Sequence, residues 1–449
     1  MQPRTYVSDG QPEQRLAQNV IAVLEDEGLL ELSGSGKGRV VAFCGFVVTS
    51  DAILVALPKT LEVPTEDDID LCRLLYRTFV RFLRQDVPTI ESGSADMRYN
   101  KEDLANLSTF QIYDELLDDC ARFGIYRNRI KTQRLGLSGR PNWKKTLKKV
   151  MPYHNGRGVP IYPYFHTERR DLRLEGLVSD IHRWCVSNAD HAIGWLKSSG
   201  GDTVLFPSIA HSRGKAPCDR KAAIHILTAE LRKCYEQRKI RLLNLMIKLL
   251  DQTDTGVSIE QKQFGVRYFW PVWESICKAY LSDQSEEHGK ALPQPSYRTG
   301  DGVRYNRGRN IGQRPDVVIG SPGDALAVID AKYYDVRKGV PGWQDIVKQL
   351  FYAASYKTTG YASEVRNVLM FPEPESTSLP DKIVMDIPDE VRTGEQFDET
   401  RFNSLFPPIE CRYLSMTKAM KAYACKAQGE TLRACLLETE LDNRVVGDA

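Results

Sequence analysis

The sequence has no long apolar run, no paired cysteines and no nucleotide-binding loop, and each absence removes a class of protein. Nothing in its 449 residues approaches the roughly 18 consecutive apolar residues of a membrane-spanning helix. The opening MQPRTYVSDGQPEQRL lacks the apolar core of a secretion signal. Ten cysteines are scattered without a Cys-x-x-Cys pair or a Cys/His cluster, which argues against a zinc site and for reduced thiols. A cytoplasmic location without membrane contact is therefore expected. Gly34-Ser35-Gly36-Lys37-Gly38 invites a phosphate-loop reading. It fails, because Glu31 stands at the first glycine's place and Gly38 replaces the Ser/Thr of G-x-x-x-x-G-K-[ST]. A flexible turn is expected instead. Internal repeats and low-complexity tracts are also missing.

What is present fits an ordinary folded chain of two or three domains: 42% hydrophobic and 27% charged residues. The net charge is only +2, so any nucleic-acid surface must be local. One stretch is locally one-sided. Cys120–Thr167 contains no Asp or Glu but eleven cations, Arg122, Arg127, Arg129, Lys131, Arg134, Arg140, Lys144, Lys145, Lys148, Lys149 and Arg157. Trp143, Tyr153, Tyr162, Tyr164 and Phe165 are interleaved. A solvated face usually mixes signs, so this pattern points to contact with a phosphate backbone. An acidic protein partner is the alternative.

Along the chain, Pro12–Glu27 has helical spacing, and strands are expected at Val40–Val48 and Ile53–Leu57. This beginning resembles a winged-helix or small α+β module. Pro64–Leu83 reads as a helix capped by Thr65, and Lys101–Phe123 as another. Residues 168–255 read as largely helical, with Ala222–Leu250 as one long apolar stripe. A domain boundary is expected near Asp251–Ile259. An aromatic helix, Phe269–Tyr280, carries Glu274, and Arg298, Arg304, Arg307, Arg309 and Arg314 follow in a polar stretch. Later strands are expected at Val365–Phe371, Ile383–Ile387 and Glu410–Leu414, then a closing helix at Thr417–Leu437.

The most informative stretch is RPDVVIGSPGDALAVIDAKYYDVRKGVPGWQDIVKQLFYAASY, residues Arg314–Tyr356. Val317–Ile319 and Ala325–Ile329, separated by Gly-Ser-Pro-Gly, read as a hairpin. Asp330 and Lys332 are two apart, so on a strand both point to one face. Asp316 opens the neighbouring strand, where pairing can bring it to the same edge. Two carboxylates and the Ala331 carbonyl suit a hard, oxygen-seeking ion such as Mg²⁺. Such an ion polarises a phosphodiester and acidifies a bound water, while Lys332 can stabilise developing negative charge. Gln349, in the helix expected over Trp343–Lys357, could face the same rim. Singly, Asp-x-Lys usually marks a solvated strand end and Pro-Asp a turn. Together with the strand order they resemble the PD-(D/E)xK nuclease core.

The resemblance extends over most of the chain to McrC-like and LlaJI-like restriction endonuclease subunits. It is carried by the C-terminal Pro-Asp…Asp-x-Lys core, the aromatic helix with a central Glu, VVAFCGFVVTSDAILVALPK, and Asn142-Trp143-Lys144-Lys145-Thr146. It implies a bacterial or archaeal anti-phage defence nuclease working on double-stranded DNA with a separate McrB-like AAA+ NTPase. It carries over Asp316, Asp330 and Lys332 as catalytic, and Glu274 and Gln349 less firmly. A solvent-facing helix glutamate is the alternative at Glu274.

The expected architecture is multidomain α/β. Residues 1–110 would be an N-terminal α+β region binding DNA or a partner, 111–255 a basic, mostly helical middle, and 256–449 a nuclease domain with a mixed sheet flanked by helices. Asp316, Asp330, Glu274 and the Ala331 carbonyl would hold one or two Mg²⁺ ions, with Mn²⁺ as a substitute. Lys144, Lys145, Lys148, Lys149, Arg304, Arg307, Arg309 and Arg314 would contact DNA, on which the chain could oligomerise with itself. A stand-alone repair or recombination nuclease and a non-catalytic adaptor that stimulates an NTPase are the competing readings.

Overall fold

Two uninterrupted apolar runs make the first hairpin of the structure, a computed structural model. It describes residues 3–33, 36, 38–49, 52–85, 101–137, 140–154, 156–173, 176–198, 205–212, 214, 216–252, 262–294, 297–298, 300, 304–305, 314–374, 379–393 and 397–437. β1 (Arg4–Ser8) lies parallel to β3 (Ile53–Leu57), and β3 pairs antiparallel with β2 (Cys44–Val48). The Thr49 hydroxyl closes the hairpin turn by accepting from Ala52 N at 3.0 Å. α1 (Gln18–Asp26) packs Val20 and Leu24 on Val7, Val47 and Leu54. It begins later than the apolar spacing predicts, because Glu13–Arg15 form a separate 3₁₀ turn. The winged-helix option does not describe this region. Both hairpin strands are buried along their whole length, at the centre of a four-stranded mixed sheet. Residues 33–38 lie between two short paired strands, Leu30–Leu32 and Arg39–Val41; Gly34, Ser35 and Lys37 fall outside the described residues.

α2 (Ile69–Gln85) starts later than the expected Pro64 and beyond the expected cap Thr65. Asp68 caps it, accepting from Leu71 N at 2.9 Å. α3 spans Lys101–Phe123, as the periodicity predicts.

The chain divides into a compact unit, Thr109–Ser258, and a second made of Gln2–Ser108 with Ile259–Ala449. The amino- and carboxy-terminal segments therefore share one unit, and the middle segment forms the other.

In the Thr109–Ser258 unit, β4 (Asn128–Gly136) and β6 (Phe165–Arg173) pair antiparallel along nine residues each, with β5 (Arg140–Pro141) beside β6. The basic stretch thus carries paired strands as well as helix, and 168–173 is strand where helix was expected; the long ladder outweighs the local helical pattern. α4 (Trp143–Lys149) is capped by the Asn142 side chain, which accepts from Lys145 N at 3.1 Å. α5 (Leu177–Ala189) follows. The expected stripe Ala222–Leu250 is two helices, α6 (Arg220–Leu231) and α7 (Gln237–Gln252). Lys197 joins Asp114 and Asp118 at 2.6 Å each, and Arg238 makes a bidentate pair with Asp119 at 2.9 and 2.8 Å. Asp114, Asp118 and Asp119 of α3 are in this way matched inside the unit. The boundary expected near Asp251–Ile259 lies mostly outside the described residues.

Back in the larger unit, β7 (Lys262–Val266) completes the first sheet against β2. Gly45 and Gly265 face each other there. A Cβ on Gly45 would come within 2.2 Å of Phe264 O, and one on Gly265 within 2.2 Å of Cys44 O. Only glycine permits this approach. α8 (Trp270–Leu281) then leads to a second, five-stranded sheet built from β8 (Val317–Gly320), β9 (Ala325–Ala331), β10 (Glu364–Pro372), β11 (Lys382–Ile383) and β12 (Ile409–Leu414), in the order β8-β9-β10-β12-β11. β8 and β9 are the expected hairpin. α9 (Trp343–Thr358) connects β9 to β10, which run parallel, as a crossover requires. The strand expected over Ile383–Ile387 shrinks to β11. The expected closing helix is α10 (Met416–Cys425) and α11 (Glu430–Leu437). Lys426 between them has a left-handed φ of 60°, and Gly429 N donates to Tyr280 O at 2.8 Å. A Cβ on Gly429 would overlap the Tyr280 ring.

Candidate active site

The β8–β9 register pairs Val317 with Ile329, so the next residues outward, Asp316 and Asp330, stand opposite each other at the sheet rim. Asp316 Oδ2 accepts from Ala331 N at 2.8 Å. Lys332, on the same face as Asp330, places Nζ 2.6 Å from Asp330 Oδ2. The hairpin thus brings together the Pro-Asp and Asp-x-Lys residues singled out from the sequence.

The electrostatics follow from crowding. Burial, then the charges of Asp330 and Glu274, push the Asp316 carboxyl well above the usual carboxylate range. Glu274, half-buried on α8, is pushed up to about 7, first by burial and against the pull of Lys278, with Asp330 adding to the rise. Burial draws the Lys332 ammonium down, but Asp330 and Asp345 outweigh it and leave the group more basic than a free lysine. Glu274 therefore belongs to the electrostatic field of Asp316 and Asp330. Among the described residues no three His, Cys, Asp or Glu side chains stand close enough, as placed, to enclose a metal ion.

Gln349 sits elsewhere than at the open rim. It is fully buried, and its Nε2 donates to Val328 O at 2.6 Å and Val368 O at 3.1 Å. It ties β9 to β10 two residues before Asp330. Its Oε1 has no hydrogen-bond partner.

Two neighbours carried no sequence signal strong enough to single them out. Asp345, in the first turn of α9, accepts from Lys332 Nζ at 2.8 Å. Its spacing of four from Gln349 puts both on one helical face, which is the signal available. Tyr352, also on α9, donates to Arg314 O at 3.2 Å.

The expected DNA contacts are dispersed. Arg314 is exposed beside Asp316. Arg304 lies on a short strand paired with Tyr297–Arg298, and Arg307 and Arg309 fall outside the described residues. Lys144, Lys148 and Lys149 are exposed and Lys145 half-buried on α4, which belongs to the Thr109–Ser258 unit. α4 is held to β6 by Thr146 Oγ1, which accepts from His166 N at 2.9 Å, and by an edge-on Trp143–Phe165 contact at 5.2 Å.

The sequence model of the LlaJI restriction endonuclease family matches residues 43–387. This chain belongs to that family. It is 22% identical over 376 residues to the type II restriction enzyme BsuMI component YdjA of Bacillus subtilis (strain 168), covering 80% of this chain and 77% of that protein. Among solved structures it is similar to a chain of the half-complex of Thermococcus gammatolerans McrB AAA+ hexamers with bound McrC. There the TM-score is 0.43 at 15% identity, over 94% of this chain and 99% of the other. A chain of the McrBC complex of the same organism gives a TM-score of 0.27 at 14% identity, over 62% of this chain and 88% of the other. Among the described residues no helix is long and apolar enough to cross a membrane.

Proposed function

We propose that this chain is the DNA-cutting subunit of a restriction system, a Mg²⁺-dependent endonuclease of the PD-(D/E)xK type. The observation that carries this reading is the meeting of Asp316, Asp330 and Lys332 at one sheet rim. The β8–β9 hairpin, the α9 crossover and the parallel β10 supply the mixed sheet that such a core uses.

By its chemistry the donor set suits a hard divalent ion, and binding one would draw the three carboxylates closer together than they stand here. Beyond the effect of burial, Asp330 and Glu274 raise the Asp316 carboxyl and Asp330 raises Glu274, and this mutual repulsion of neighbouring acids is what a cation among them would relieve. Asp316, Asp330 and Glu274, with the Ala331 carbonyl, would hold one or two Mg²⁺ ions, or Mn²⁺ in their place. When bound, the ion supplies charge neutralisation at the phosphate and an acidified water.

The protein's own groups do the rest. Lys332 is held by Asp330 and Asp345 so that its ammonium stays charged where negative charge develops on the phosphate. Asp316 is anchored through one oxygen to the strand that bears Asp330, which keeps the two acids in register. Gln349 positions rather than reacts, since its amide N–H groups fix the strands leading to Asp330.

The partner we propose is a separate AAA+ NTPase, as the McrC-like resemblance implies. The exposed lysines of α4 would bind the backbone of double-stranded DNA, and Arg314, in the other unit, would do so beside the rim.

The test is cleavage of methylated and unmethylated plasmid DNA in Mg²⁺ by the purified chain, with and without the NTPase, comparing wild type with Asp330→Asn. Loss of cutting in the variant with its melting temperature and DNA affinity retained is expected. Cutting by Asp330→Asn at the wild-type rate would refute the site. Stimulated NTP hydrolysis without cutting by wild type on either DNA would favour the adaptor reading.

A further inference from the structure

We infer that Asp9 and Tyr333 form a latch by which the amino-terminal sheet holds the end of the Lys332 strand, making both positioning residues for cleavage. The inference rests on the reading of Lys332 as a reacting group.

The parallel strands β1 and β3 end side by side, with Ser8 paired to Leu57. The chain just beyond each strand meets one phenol. Tyr333 donates its hydroxyl to Asp9 Oδ2 at 3.0 Å and accepts from Lys59 N at 2.8 Å. The Lys59 ammonium lies 5.0 Å from the centre of the Tyr333 ring and 3.8 Å from Asp9 Oδ2. Asp9 and Tyr333 are both buried, 8% and 9% exposed, so the hydroxyl's bonds are not exchanged freely with water. A buried bond of this kind to a carboxylate is worth more than an exposed one.

The other side of Tyr333 faces the catalytic strand. Lys332 is its immediate neighbour, and Lys332 N donates to Met370 O at 2.9 Å. The strand end is thus pinned by β10 on one side and by the amino-terminal sheet one residue later. The Tyr333 ring also packs on Phe269 at 5.2 Å, the residue that precedes the helix carrying Glu274. Two of the groups that would face the phosphate are consequently supported through a contact more than 300 positions apart in sequence. Hydrophobic burial explains the ring. It does not explain a phenol whose hydroxyl is fully engaged by two strand ends of another sheet, nor an acid buried to receive it.

The experiment uses the full chain with its NTPase partner, supercoiled plasmid DNA and Mg²⁺. It compares Tyr333→Phe, Asp9→Ala and Asp9→Asn under single-turnover conditions, with Asp330→Asn as the control for the site. Tyr333→Phe and Asp9→Ala should each slow cutting by about 10–10²-fold, the scale for a misplaced reacting group. The dissociation constant for DNA should not change. Asp9→Asn should retain most of the rate, because its amide oxygen still accepts from the phenol. The double variant Asp9→Ala/Tyr333→Phe should be no slower than the worse single variant, since both remove one interaction. If Tyr333→Phe does not fold, the comparison of Asp9→Ala with Asp9→Asn decides. Wild-type cutting by Tyr333→Phe overturns the latch, as does equal loss in Asp9→Asn and Asp9→Ala. Retained cutting by Asp330→Asn would instead overturn the site on which the latch acts.

Discussion

Asp316 and Ala331 are joined by a hydrogen bond of 2.8 Å from the Ala331 backbone to the Asp316 carboxylate. The bond uses an acid to extend a β-ladder past its last regular pair. It holds Asp316 against the strand that bears Asp330 and Lys332, and it leaves the second oxygen of Asp316 uncommitted to that bond. A carboxylate so placed, among two others and partly out of water, gains more from a cation than from solvent.

Lys332 gives the sharpest division between a reacting group and a structural one. Lys332→Ala should lose about 10²–10³-fold in single-turnover cutting, the scale for removing one group that stabilises transition-state charge. Its DNA affinity should stay close to wild type and the variant should still fold. The Lys332 side chain is 18% exposed and pairs with Asp330 and Asp345, so its loss should also lower stability by on the order of a few kcal/mol, as for a partly buried acid left without its cation, which a rate measured on the folded variant separates from catalysis. Lys332→Arg should not restore full rate, because a planar guanidinium does not replace a compact ammonium between two carboxylates. Quench-flow cleavage beside a melting curve settles the matter, and a wild-type rate in Lys332→Ala defeats the mechanism.

The site was legible in the sequence where it depends on short-range pairing. Two apolar runs with a Gly-containing turn fix the hairpin register, and the register alone sets Asp316 opposite Asp330. Gln349 was visible as a polar residue in an apolar helix, but its direction was not. Whether it meets the rim or the strand carbonyls depends on how α9 crosses the sheet. Asp9 was illegible, because its partner Tyr333 lies in a distant segment and nothing local marks either residue. The same holds for the shared unit of the amino- and carboxy-terminal segments. Strand β7 completes a sheet begun before the inserted segment, and only the facing glycines Gly45 and Gly265 hint at that contact. The split of the long apolar stripe into α6 and α7 was missed because periodicity continues across a short turn.

The lysines of α4 make a prediction that does not involve the rim. Changing Lys144, Lys145, Lys148 and Lys149 together to Ala should weaken binding to any duplex. Each phosphate contact contributes a slope of about −0.9 in log affinity against log salt, so the slope should flatten by up to roughly three or four. Fluorescence anisotropy across a salt series measures it. An unchanged slope assigns the basic segment to an acidic protein partner.

Gly265 tests the packing between β7 and β2. A side chain there must enter space occupied by Cys44 O, 2.2 Å from the added Cβ. The obstacle is backbone in the middle of a sheet, which cannot yield as a side-chain tip can. Gly265→Ala should destabilise the protein by about 1–3 kcal/mol or more, the range for overpacking. Ala at Gly289, where nothing lies within 4 Å, should fall within about 0.5 kcal/mol of wild type. Denaturant unfolding of the two variants supplies the comparison, and equal midpoints would contradict the glycine pairing.

Asp9 gives a pH dependence whose sign is fixed by its surroundings. Burial raises its carboxyl from an ordinary 3.8 to about 6, even though Lys59 and the Tyr333 hydroxyl pull the other way. The native state therefore holds this proton more tightly than the unfolded chain does. Stability from this group is fully present below the unfolded value and is lost as pH rises through the folded one. The amide of Asp9→Asn cannot titrate, so the stability of wild type relative to Asp9→Asn should fall as pH rises from about 4 to about 7, by on the order of 3 kcal/mol. Melting curves of both proteins across that range test it, without DNA or metal. A difference that is flat, or that grows with pH, would mean that Asp9 is ionised at little cost, and its burial beneath Tyr333 would then need another cause.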